Sequence, residues 1–148
     1  MPAAHALMQA AEDIAAAAPG LTDGQLWMRP GGAASVGFHL RHVAGSIDRL
    51  LTYARGEMLS QAQLAAIAGE QDAGDDTASA AALASDATTA IHRAIDVMRS
   101  VPPESYFEPR SVGRRKLQTN VLGLLVHVAE HTQRHAGAII ATSKVVRG

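Results

Sequence analysis

Five of the seven histidines in this 148-residue chain fall in two short stretches. His127, His131 and His135 are spaced four residues apart, and His39 and His42 three apart. On a helix, a step of four residues rises ~6 Å and turns only ~40°, so such side chains climb one face and neighbours can converge on one ion. Neutral imidazole ligates zinc, nickel, copper and iron. Two imidazoles from one helix and one from another would make a three-nitrogen site, with a coordination position left open for water or substrate. Spacing alone leaves a second reading equally open, because histidines four apart also occur on plain helix surfaces.

Other chemistries are excluded or weakly supported. The chain has no Cys, which removes disulfides, thiolate ligands and Cys nucleophiles. The H-E-x-x-H pattern of zinc peptidases is absent. Glu130 directly precedes His131 and so points ~100° away from it. It also stands four residues before Arg134, the favourable order for a surface ion pair. Residues 69–77 hold Glu70, Asp72, Asp75 and Asp76 without the ligand pattern of an EF-hand, and read as a solvated acidic loop.

Formal net charge is −1, and the densest basic cluster, Arg110, Arg114, Arg115 and Lys116, falls in a connecting segment. That footprint is too weak for phosphate neutralisation, so no nucleic-acid partner is expected. Apolar runs are broken by charge before the ~20 residues that span a bilayer. No basic start followed by an apolar run marks a signal peptide. A soluble cytoplasmic protein with no membrane partner is the expectation.

The elements that must position the histidines are helical. The chain is 47% hydrophobic but only 3% aromatic, and Ala dominates the apolar count. Ala is the best helix former, whereas strand-favouring residues are too sparse here to build a sheet. A first helix is predicted over 3–18, ended by Pro19-Gly20. Residues 22–33 read as a loop or short turn whose Trp27 plugs one end of the core. A second helix spans 35–55, capped by Ser35 and stopped by Gly56, with Val36, Leu40, Val43, Ile47, Leu50 and Leu51 as its apolar stripe. A shorter helix is predicted over 60–68 and a third long one over 77–101, ended by Pro102-Pro103. Residues 104–117 read as extended and irregular. Thr119 or Asn120 then caps a fourth long helix reaching about residue 142. A bundle of four long helices, folded as a single all-α domain over 1–148 with one short helix in a connection, buries these stripes most simply.

Ser35-Val-Gly-Phe-His-Leu-Arg-His-Val-Ala-Gly-Ser46 resembles the second-helix motif of the DinB-like (DinB/YfiT-like) metalloenzymes, and His127-Val-Ala-Glu-His-Thr-Gln-Arg-His-Ala-Gly137 is similar to the family's later motif. Trp27 followed by Pro30-Gly-Gly32 resembles the lead-in to that second helix. The resemblance implies a four-helix bundle holding one divalent metal ion, zinc or nickel first among the candidates, through His42, His131 and His135. It also implies reactions of the thiol S-transferase, isomerase or hydrolase kind on a small-molecule substrate, some with a low-molecular-weight thiol as cofactor. The chain departs from the family where Ala136-Gly137-Ala138 stands in place of Arg-Gly-Gln, which removes a polar group one turn from the last ligand.

Around these ligands, His39 and His127 could hold a ligand in place, join it on the metal or shuttle protons. We read them first as polar residues at the bundle edge. Arg49 and Tyr53 follow His42 by seven and eleven residues, roughly on one face. They could bind an anionic substrate or cap the core. A non-catalytic metal-binding or stress-associated module, as a homodimer, is the alternative function. Bound imidazole must be neutral and the free side chain titrates near ~6.5, so acid is expected to compete with metal between pH ~7 and ~5.

Overall fold

The computed structural model describes residues 1–74 and 77–148. Helix α1 runs over Pro2–Ala17, α2 over Asp23–Trp27, α3 over Val36–Ala54, α4 over Gln61–Ala68, α5 over Ala80–Ser100 and α6 over Val121–Arg147. Strands β1, Pro109–Val112, and β2, Leu117–Asn120, form an antiparallel hairpin between α5 and α6. The fold is all-α apart from this small hairpin. The long helices pack in pairs, α1 and α3 each against both α5 and α6.

Local chemistry sets most helix ends. The Ser35 hydroxyl accepts from the Phe38 amide and starts α3. Gly56, at φ +79°, closes the same helix in a conformation that a side chain would strain, while its amide reaches back to the Tyr53 carbonyl. Ser60 and Gln63 form a capping box for α4, as Thr22 and Gln25 do for α2. The Asn120 side chain accepts from the Gly123 amide at the start of α6.

The core is one cluster drawn from all four long helices, and the whole predicted stripe of the second helix is buried in it. Trp27 lies flat on α3 at Gly37, where an added Cβ would sit 2.7 Å from the indole ring. The Arg41 guanidinium lies over the ring, 4.7 Å from its centroid. Trp27 therefore fastens the segment before α3 to that helix.

Several boundaries differ from the sequence reading. Residues 22–33 contain the short helix α2 and a 3-10 turn over Pro30–Gly32. The third long helix starts at Ala80 after its cap Ser79, and α6 continues five residues beyond 142 to Arg147. The segment 104–117, predicted as extended and irregular, holds β1 and the turn, and β2 runs on from its end to Asn120. A small sheet thus forms where none was expected, from four-residue strands too short for alternation to reveal. Asp75 and Asp76 of the acidic segment lie outside the described residues.

Candidate metal centre

Helix α3 packs against α6 with the start of one near the end of the other, and the histidines meet at that contact. His42 comes from the second turn of α3; His131 and His135 come from successive turns of α6. One ligating nitrogen or more from each of the three lies within 4.8 Å of the others. The ring centroids stand 5.1 Å apart for His42–His131 and 4.6 Å apart for the other two pairs. Neither His39 nor His127 joins this group. All three rings are half-buried, and Phe38 stacks on His42 at 5.2 Å.

Glu70 orients the cluster from outside it. Its carboxylate is buried, 4% exposed, and accepts from His42 Nδ1 at 2.7 Å and from Arg49 Nη1 at 2.7 Å. With the proton on Nδ1, His42 presents the lone pair of Nε2 to His131 Nε2, 2.9 Å away. A carboxylate behind a ligating imidazole fixes its tautomer and raises its basicity. Burial alone would raise the Glu70 carboxyl, yet the hydrogen bonds from His42 and Arg49 and their charges hold it below the usual carboxylate range.

Glu70 belongs to the stretch read from sequence as a solvated loop, and that reading is corrected here. Arg41 pulls the loop onto α3, its Nη1 donating to the carbonyls of Gly69 (2.7 Å) and Asp72 and its Nη2 to that of Ala73 (3.2 Å). Gly45 clears the space, because a Cβ there would stand 2.7 Å from Arg49 Nη1 and closer still to Glu70. Arg49 is thereby committed to Glu70. Tyr53 does share its side of α3, but lines a separate cleft at the far end of the helix.

The electrostatics favour the neutral form of His131 and His135. Burial, reinforced by the neighbouring His42, pushes His131 down to about 4 and His135 to about 3. Burial and then His42 also lower His39, whose Nδ1 lies 2.9 Å from His135 Nδ1. His39 thus has a hydrogen-bond partner in His135 beside the cluster. His127 turns instead to Glu130, 2.6 Å away, while Arg134 stands 4.0 Å from the same carboxylate oxygen.

Three imidazoles with a carboxylate behind one of them suit a borderline divalent ion. Tetrahedral ligation at about 2.0–2.1 Å sets neighbouring nitrogens ~3.3 Å apart, within about half an ångström of the His42–His131 separation. The donor set fits such an ion. The family model of the DinB superfamily matches residues 6–139. The chain belongs to the DinB superfamily. None of the curated proteins compared with the chain matches it. The match to the DinB superfamily spans α1 to most of α6 and includes all three histidines.

Proposed function

We propose that this DinB-superfamily protein binds one divalent metal ion, zinc or nickel, through His42, His131 and His135, and uses it to activate a low-molecular-weight thiol or water toward a small electrophile. The observation that carries the reading is the Glu70–His42–His131 alignment, which spends a buried carboxylate on aiming one imidazole. A plain surface histidine has no need of such a partner. Bound here, the ion supplies Lewis acidity, which makes a thiol or water nucleophilic at neutral pH.

The protein's own groups have distinct tasks. Glu70 holds the Nδ1 proton of His42 and keeps its Nε2 free to ligate. Arg49 neutralises Glu70, so the carboxylate does not compete for the ion. His39 steadies His135 through Nδ1, leaving its other nitrogen for the site. Phe38 limits water around the rings. The absence of a Gln after His135 leaves the chain without that polar group for substrate, and favours electrophiles held by shape and apolar contact.

His39 also supports a second reading. Its nearness to His135 would let it close the coordination sphere, and the ion would then pin α3 to α6 without catalysis. Metal-loaded protein assayed with glutathione and 1-chloro-2,4-dinitrobenzene, and with p-nitrophenyl acetate, separates the two. Turnover that disappears in His131→Ala and with chelator supports the enzyme. No turnover of either substrate by fully loaded protein supports the metal-pinned module.

A further inference from the structure

A sizeable cleft lies away from the histidines. It has a volume of about 680 Å³ and opens between the end of α3, the start of α4 and the β1–β2 hairpin. Tyr53, its nearest lining residue on α3, is eleven residues beyond His42, or ~16 Å along the helix axis. None of the three candidate ligands lines it. Its size falls in the range of small-molecule sites, about 300–1,000 Å³.

The walls have two characters. Tyr53, Met58, Leu59 and Leu64 give an apolar side, and Met58 is 82% exposed, which is costly for a side chain with nothing to cover it. The hairpin turn gives a basic side through Arg114 and Lys116.

The charges do not cancel. Arg110 is consumed as scaffold: its Nε donates to the Ala54 carbonyl (2.7 Å), Nη1 to the Pro109 carbonyl (2.9 Å) and Nη2 to Glu108 (2.9 Å). The acid lining the cleft, Glu57, is paired with Arg55 through Nε at 3.0 Å and Nη2 at 2.9 Å. Arg114 and Lys116 have no side-chain partner among the described residues. Two cations thus face an apolar wall without an internal counter-charge.

We propose that this cleft is a second binding site, for a small organic anion with an apolar alkyl or aryl body. Its body lies against Tyr53, Met58, Leu59 and Leu64, and its carboxylate or sulfonate pairs with Arg114 and Lys116. Arg110 ties the hairpin to α3 and holds the two walls at a fixed distance, so the site is formed before the ligand arrives. The concave shape favours a small molecule over a flat membrane surface, although the same charges would also attract an anionic bilayer.

The test is an NMR titration of the full-length protein's backbone amides with octanoate and with naphthalene-2-sulfonate. Saturable shifts are expected at residues 56–59 and 111–118 for at least one anion, leaving the amides of His42, His131 and His135 unmoved. The double variant Arg114→Gln, Lys116→Gln should weaken that binding about tenfold or more, and 1-octanol should bind about tenfold more weakly than octanoate. His131→Ala should bind the anion as the wild type does, which separates this site from the metal centre. No saturable response to either anion, equal binding of octanol and octanoate, shifts elsewhere, or binding only to phosphatidylserine vesicles would each overturn the proposal.

Discussion

At the residue scale, the centre depends on a proton held in one place. Glu70 keeps it on His42 Nδ1, so Glu70→Gln, which preserves shape but removes the charge, should lower zinc affinity by about 10–100-fold while helicity is unchanged. Calorimetric titration with zinc checks this; equal affinity in the variant would make Glu70 a bystander. Acid tests the buried rings. In the metal-free protein His131 and His135 are held down to about 4 and about 3, so their ring NMR signals should stay neutral as pH falls from 7 to 5. Proton competition at these two ligands therefore moves below the pH ~7 to ~5 range expected from free imidazole. The stability consequence has a definite sign. Below pH ~6.5 the unfolded chain takes up protons that folded His131 and His135 refuse, so metal-free stability should fall as pH drops from ~6.5 toward about 3. Denaturant midpoints measured across that range would show it, and a flat profile would contradict the buried-neutral account. The three clustered histidines were legible from the motif resemblance, and their helical spacing from sequence. Glu70 was not, because a carboxylate beside Asp72 and two glycines carries the same composition whether solvated or buried. Its burial is decided by Arg41, twenty-nine residues earlier, which draws the loop carbonyls to α3.

At the element scale, α3 organises the site with two glycines that give other groups room. Gly37 receives Trp27 and Gly45 receives the Glu70–Arg49 pair. Gly37→Ala would push a methyl into the indole ring, and a loss of about 1–3 kcal/mol is expected from the overpacking, read from urea midpoints. An unchanged midpoint would mean that α2 and Trp27 dock less tightly than the geometry implies. The ends of α3 were readable because Ser35 and Gly56 each satisfy a local backbone requirement. The hairpin was not: its stability comes from Arg110 bonding to the end of α3 and from pairing across a turn, neither of which leaves a periodic pattern in eight strand residues. Helix α2 was hidden for a related reason, since five residues are too few for helical spacing, though the Thr22–Gln25 capping box was a local signal of it.

At the scale of the whole molecule, folding should not depend on metal binding. The core runs through α1, α3, α5 and α6 and is mostly apolar, with Ser46, Thr132 and Ser143 among its few buried polar residues, so its burial does not require an ion. The metal-free protein should remain helical and melt cooperatively, and a chelated sample that has lost its helical circular dichroism at 25 °C would make the ion a structural staple. No helix among the described residues is long and apolar enough to cross a membrane.

The central claim is that His42, His131 and His135 hold one divalent ion between α3 and α6. Its most direct test is metal content after zinc loading and exhaustive dialysis, measured for wild type, His42→Ala, His131→Ala and His135→Ala with helicity confirmed for each. The account predicts about one zinc per wild-type chain and less than about a tenth of that in each folded variant, because two imidazoles alone hold the ion too weakly to survive dialysis. A wild-type chain that keeps no metal, or folded variants that keep as much as the wild type, would contradict it.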